Sequence, residues 1–120
     1  MMAQPARTPP ATGGVVALAP VRIARVLKQR ERYRYVQPRV ERLDDGADTG
    51  WKVVSPNCSR TVDAAGGEIE IAWLVPERSG RWRLHARDHV HGTWVLKTAG
   101  LDLPAALERL CEDPLREYWP

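Results

Sequence analysis

The chain has 120 residues, 18 Lys and Arg against 15 Asp and Glu, and a formal net charge of +3. That length supports one domain with a core of its own and excludes two ordinary ones. No apolar run approaches the roughly 20 residues that a membrane-crossing helix needs, and two cysteines do not make a disulfide framework.

Cys58 and Cys111 are therefore expected as free thiols. Five Trp and three Tyr stand beside no Phe, so the aromatic part of the core is Trp-led and each buried indole N–H needs an acceptor. The charge is unevenly spread. From Arg7 to Arg42 there are nine basic residues against Glu31 and Glu41; from Leu43 onward there are nine basic against thirteen acidic. A basic first third on a mildly acidic body is the pattern of affinity for an acidic partner, or of an arm folding back on its own body.

In chain order, residues 1–20 carry four prolines and no periodic apolar pattern, and are expected to form a disordered arm ahead of a single domain over residues 21–120. The short apolar run Val15 to Ala19, with Pro9-Pro10 before it and Pro20 after it, falls short of a signal peptide, and a cytoplasmic location is the expectation. Pro20 to Arg32 reads as a short basic helix with Pro20 in its first turn. Val21, Ala24, Leu27 and Lys28 share one side, Ile23 and Val26 lie beside it, and Arg22, Arg25, Gln29 and Arg32 lie opposite.

Tyr33 to Leu43 is β-rich, and Pro38 assigns it to an edge or a bulge. Trp51 to Ser55 reads as a strand and Pro56 to Gly67 as a long loop. Next, Ile69, Ile71, Trp73 and Val75 alternate with Glu68, Glu70, Ala72 and Leu74. After a turn, Trp82, Leu84 and Ala86 alternate with Arg81, Arg83, His85 and Arg87. With Glu77 to Gly80 as the loop, Val75 faces Trp82, Trp73 faces Leu84 and Ile71 faces Ala86, while Glu70 faces Arg87 and Glu68 faces His89 on the other side. Thr93 to Lys97 adds a strand whose Trp94 and Leu96 continue the apolar face.

A second helix then follows, capped by Asp102 with Pro104 in its first turn. Leu103, Leu107, Leu110 and Cys111 are its buried stripe, and Pro114 ends it. Leu115, Tyr118 and Trp119 are expected to dock on the domain. The fold class is α+β: an N-terminal helix, an antiparallel β-meander of about five strands, and a C-terminal helix packed on one sheet face.

The run Glu70-Ile71-Ala72-Trp73, then Gly80-Arg81-Trp82-Arg83-Leu84, then the helix from Leu103 to Leu110 closed by Asp113-Pro114 and Tyr118-Trp119, resembles a family of small bacterial domains of unknown function. The likeness covers roughly Arg34 to Trp119. It implies a β-meander followed by a helix and supplies no catalytic residues.

Among candidate sites, His85, Asp88, His89 and His91 are the densest cluster. Residues four apart on a strand stand about 13 Å apart, so His85 and His89 cannot share an ion, whereas His89 and His91 share a face. Zinc would still want a third ligand, for which the long loop offers Cys58 or Asp63 with nothing in the sequence to support either. A small metal- or thiol-dependent enzyme around His89, His91 and Cys58 is one reading; solvated imidazoles at a hairpin tip are the plainer one, and no cofactor is expected. The stronger signal is basic: Arg22, Arg25, Lys28, Arg30, Arg32 and Arg34 present cations of the kind that phosphate backbones attract. With Trp73, Trp82 and Trp94 expected under the helix, base stacking on the sheet is disfavoured. The expected function is a non-catalytic binding domain that contacts an acidic partner, nucleic acid or protein, with no membrane role; a protein–protein interaction module is the third alternative.

Overall fold

The computed structural model describes residues 10–58, 62 and 65–120, with side chains from residue 18 onward. Residues 1–9 of the expected arm, and residues 59–61, 63 and 64 of the expected loop, lie outside the described residues. The elements run α1 (Pro10–Leu27), β1 (Arg39–Asp45), β2 (Asp48–Pro56), β3 (Glu68–Pro76), β4 (Trp82–Asp88), β5 (Thr93–Leu101) and α2 (Leu103–Glu112). The strands form one antiparallel sheet in the order β1-β2-β3-β4-β5, so the α+β meander is as expected. Both helices lie on the same sheet face, α1 beside α2 and against β1, α2 against β4. Among the described residues no helix is long and apolar enough to cross a membrane.

α1 holds Pro20 inside it rather than in its first turn. Its buried stripe is Ala19, Ile23 and Leu27, spaced i, i+4, i+8 on one side of a helix. Val21, expected to be buried, is 56 % exposed, and so is Leu18 at 62 %. The stripe straddles the proline, so tertiary burial carries the helix through it, against the local preference of a proline to begin a helix.

β3 departs further from expectation. Glu77 N–H donates to the Arg81 carbonyl at 2.8 Å, closing a loop of Glu77 to Arg81, and Pro76 comes opposite Trp82. The loop is one residue longer than expected, and a shift of one flips every side chain between faces. Leu74 therefore pairs with Leu84, Ala72 with Ala86, and Trp73 with His85. At the other end of β3 the register against β2 slips between Val53–Ala72 and Val54–Glu70, leaving Ile71 as an extra residue. Such a bulge resets the alternation. Ile69 and Ile71 point to the helices on one side of it, Ala72 and Leu74 on the other, and all four join the core.

The strand therefore sends two phases of its apolar residues to the same layer and puts Trp73 and Val75 on the opposite face. Trp82 lies in the core under the helices as expected, whereas Trp73 is buried outside that cluster, and Trp94 packs against it at 5.9 Å between ring centroids. Gly50 lies across from Leu43 in this sheet, and a Cβ there would sit 2.3 Å from the Leu74 carbonyl oxygen and 3.0 Å from Trp73 Nε1. Only glycine fits so close an approach.

α2 forms as its sequence dictates: Asp102 caps it by accepting from Ala105 N–H at 2.8 Å, and Leu103, Ala106, Leu107, Leu110 and Cys111 are its buried residues. Its end is a knot around Asp113, a left-handed C-cap with φ 37° that is 1 % exposed. Both carboxylate oxygens accept backbone N–H groups: Oδ1 from Glu117 at 2.7 Å, Oδ2 from Trp119 at 2.8 Å, and both from Tyr118. Trp119 is fully buried and its Nε1–H donates to the Leu110 carbonyl at 2.8 Å. Tyr118 and Trp119 dock as expected, but Leu115 stays 78 % exposed because it sits on the outside of this turn.

Asp113→Ala should destabilise the domain by at least about 2 kcal/mol, since each buried N–H left unpaired costs about 1–3 kcal/mol. Asp113→Asn, which keeps one acceptor and tolerates the left-handed cap, should recover part of that. Urea unfolding followed by Trp fluorescence measures both; a loss under about 1 kcal/mol for the alanine variant would show that the carboxylate does not hold the turn.

Candidate binding surfaces

The six candidate cations of the first third do not act alike. Arg22, Arg25, Lys28 and Arg34 are exposed and Arg32 is half-buried. Arg30 is turned inward and is 5 % exposed. Its Nη1 donates to the Leu27 carbonyl at 2.7 Å and its Nη2 to the carbonyls of Tyr33 and Val36. Its guanidinium carbon stands 5.1 Å from the centroid of the Trp119 ring. Arg30 thus ties the segment after α1 to the C-terminal knot and is not an outward cation; burial pulls its pKa down from the usual arginine range. None of the other five has a carboxylate partner among the described residues, whereas all six cations of the strands do: Arg39, Arg42, Lys52, Arg83, Arg87 and Lys97. Next to the free cations stands a residue that the sequence did not mark, Tyr35, 93 % exposed, with the Arg34 guanidinium 5.8 Å from its ring.

The second surface is the sheet face that carries no helix. Its ends are ion-paired. Arg39 binds Glu41 and Glu68, Lys52 lies 3.0 Å from Glu70, Arg87 lies 3.0 Å from Glu70, and Arg83 lies 2.7 Å from Asp48. The Glu70–Arg87 pair matches the sequence expectation; Glu68 takes Arg39 rather than His89. In the middle lies a groove of about 580 Å³ lined by Leu43, Asp44 and Asp45 of β1, Trp73 of β3, His85 and Arg87 of β4, and Trp94 and Leu96 of β5. Trp73 is 4 % exposed and its Nε1–H has no acceptor. The Arg87 guanidinium sits 4.8 Å from the Trp94 ring centroid. His85 is 6 % exposed, with its ring 4.9 Å from that of Trp73 and its Nδ1 3.1 Å from the Trp73 carbonyl. That oxygen can only accept, so Nδ1 carries the proton. Burial pushes His85 below the usual imidazole range, outweighing the hydrogen bond that favours the charged form, with Arg83 adding to the lowering.

The other candidates are held apart. Asp88 builds the β4–β5 turn: its Oδ1 accepts from Val90 and His91 N–H at 3.0 and 3.1 Å, and its Oδ2 lies 2.8 Å from His91 Nδ1. The carboxyl of Asp88 is held below its ordinary range chiefly by that side-chain contact. His89 is half-buried beside Arg87, and its pKa is lowered, first by burial and then by that cation. Cys58 is an exposed free thiol and Cys111 a buried one whose thiol burial pushes up. Among the described residues no three His, Cys, Asp or Glu side chains gather as a metal site would require.

These features define a class: a two-layer α+β domain with both helices on one side of a five-stranded antiparallel meander and an aromatic groove on the other. The chain belongs to the family of the domain of unknown function DUF3024, whose model matches residues 15–120. The match extends the sequence resemblance from the strands back into α1. No curated protein and no solved structure matches the chain.

His85 gives a stability prediction whose sign follows from its neutral state. An imidazole lowered in the folded protein binds fewer protons than the same group unfolded, where it titrates near 6.5. Its contribution is therefore complete above about pH 6.5 and is lost as the pH falls below it. The depressed carboxyls of Asp48, Glu68 and Asp88 act in a lower window, below about pH 4.5. The urea midpoint should fall between pH 7.5 and 5.5, and fall less in His85→Gln, which can still donate to the Trp73 carbonyl. An equal fall in both proteins would exonerate His85.

Proposed function

We propose that this domain is a non-catalytic binding module that engages the phosphate backbone of nucleic acid through α1 and the segment after it. The observation that carries the reading is the pairing pattern of the cations. A solvated sheet surface balances its charges across strands, and here every strand cation has its carboxylate. Arg22, Arg25, Lys28, Arg32 and Arg34 have none among the described residues, so five cations there stand unpaired, with Glu31 and Glu112 beside Arg32 as nearby carboxylates. Cations of that kind displace counterions from a phosphate backbone and gain affinity without reading sequence. Tyr35 adds an exposed ring beside them on which an unpaired base can stack, and Arg34 already flanks that ring. The free sheet face has the opposite sign: Arg39, Lys52, Arg83 and Arg87 stand against Glu41, Asp45, Asp48, Glu68, Glu70 and Glu77. Phosphates are directed away from it and toward the helical edge.

Fluorescence anisotropy with labelled single-stranded and duplex oligonucleotides across a salt series tests the reading. Binding should weaken steeply with salt. Replacing Arg22, Arg25 and Lys28 together by Gln should lower the log–log slope by about 2 to 3, given a slope of about 0.7–0.9 per neutralised phosphate. Tyr35→Ala should weaken single-strand binding more than duplex binding. No binding at low salt, or an unchanged slope in the triple variant, overturns the proposal; binding of polyglutamate without binding of either oligonucleotide moves it to an acidic protein partner.

A further inference from the structure

We propose that the aromatic groove on the free sheet face is a receptor site for an extended basic peptide segment, with an arginine seated at the Trp73–Trp94 end and a second basic residue at the Asp44–Asp45 end.

The shape of the groove sets the kind of ligand. It runs from β1 to β5 across the strands, and with strands about 4.8 Å apart the distance from β1 to β4 is about 14 Å. A short extended chain spans that length with a side chain at each end. At about 3.3 Å per residue, groups at the two ends are some four residues apart.

The charge sets the sign. Arg87 is neutralised by Glu70 and Asp44 by Arg42, but Asp45 has no ion-pair partner among the described residues, and the face as a whole carries more carboxylates than cations. A cationic ligand gains from that field and an anionic one loses.

The polar atoms set the chemistry. Because the Trp73 carbonyl takes the proton on His85 Nδ1, the neutral ring presents Nε2 as a bare acceptor. A donor-rich planar cation can serve that acceptor while stacking on the indoles, and the Trp94 ring already has one guanidinium, that of Arg87, against it. Trp73 is more than nine-tenths buried, lines the groove and holds a Nε1–H with no acceptor. That N–H is enclosed against the backbone at Gly50, 3.0 Å from where a Cβ there would sit, so what Trp73 adds to the groove is ring surface and not a donor. The site shares no residue with the α1 surface and does not depend on that surface binding nucleic acid.

The indole N–H region of a ¹H–¹⁵N correlation spectrum reads the site directly, with Trp73 and Trp94 assigned from Trp73→Phe and Trp94→Phe. The probe is the acetylated, amidated peptide Arg-Gly-Ser-Gly-Arg, compared with its Gln-Gly-Ser-Gly-Gln counterpart and with hexa-adenylate. The arginine peptide should move the Trp73 and Trp94 signals saturably and leave that of Trp82 in place. Asp45→Asn should weaken it at least fivefold at low salt, and Trp94→Ala should abolish it while the remaining indole signals keep their dispersion. The triple Arg22, Arg25, Lys28 variant must bind the peptide unchanged. The inference is overturned if the arginine peptide leaves both signals unmoved at millimolar concentration, if the glutamine peptide moves them equally, or if hexa-adenylate moves them in its place.

Discussion

One extra residue in β3 governs the rest of the molecule. Between Glu68 and Pro76 the chain offers apolar side chains in both phases of the strand alternation, Ile69, Ile71, Trp73 and Val75 in one and Ala72 and Leu74 in the other. A regular strand would have to send one set out and one in. The bulge at Ile71 lets the strand change phase in mid-course, so Ile69, Ile71, Ala72 and Leu74 all reach the helical layer. Trp73 and Val75 are then committed to the other face. The aromatic groove, the neutral His85 beneath it and the close pass of Gly50 all follow from that displacement. The helices cover a core that owes little to Trp73, and the free face acquires a ring system that a purely solvated sheet surface would not carry.

This also explains what could be read from the sequence. α2 was legible in full because its cap, its proline, its apolar stripe and its stop all agree, and such agreement across local signals is what specifies structure. The strand order and the Glu70–Arg87 pair were legible because turn residues and charged positions flank each strand. The hairpin register was not. Ile71 to Val75 is an unbroken apolar run, so periodicity cannot assign a phase to it, and the loop after Pro76 accepts four or five residues with equally good turn chemistry. A four-residue loop sets Trp73 opposite Leu84 and makes every pair on that face apolar; the structure instead satisfies Glu77 N–H on the Arg81 carbonyl and pairs Trp73 with His85. The stripe of α1 differs from its sequence pattern for a similar reason. Its anchor, Ala19, stands before the proline that punctuates the sequence.

Arg30 shows why a count of cations is a poor map of a surface. By composition it is one of a run of like residues; in the fold it is a bracket, bound to three carbonyls and stacked on Trp119. Nothing local separates it from Arg32, because its role depends on where the C-terminal knot brings Trp119. Arginine suits the position, since its planar fork can reach several carbonyls while its face meets an indole. The same logic sorts the remaining cations: those of the strands are each paired with a carboxylate, and those of α1 and the segment after it are not.

The two unbalanced regions have opposite signs and lie on opposite layers of a thin domain. A helix layer packed on a sheet puts their centres of charge about 10 Å or more apart, comparable with the screening length of about 8–10 Å at ordinary ionic strength. Each region therefore presents its own field to solvent instead of cancelling the other. A small net charge then conceals a strongly polarised molecule. On the two proposed readings a polyanion would be steered to the α1 edge and a basic segment to the groove, and the two surfaces share no residue. What links them is mechanical: α1 and the sheet close on the same core through Leu27, Ile71 and Leu74, and Arg30 and Asp113 hold the ends of that layer together. The rigidity that fixes the helix against the sheet fixes the relation of the two surfaces as well.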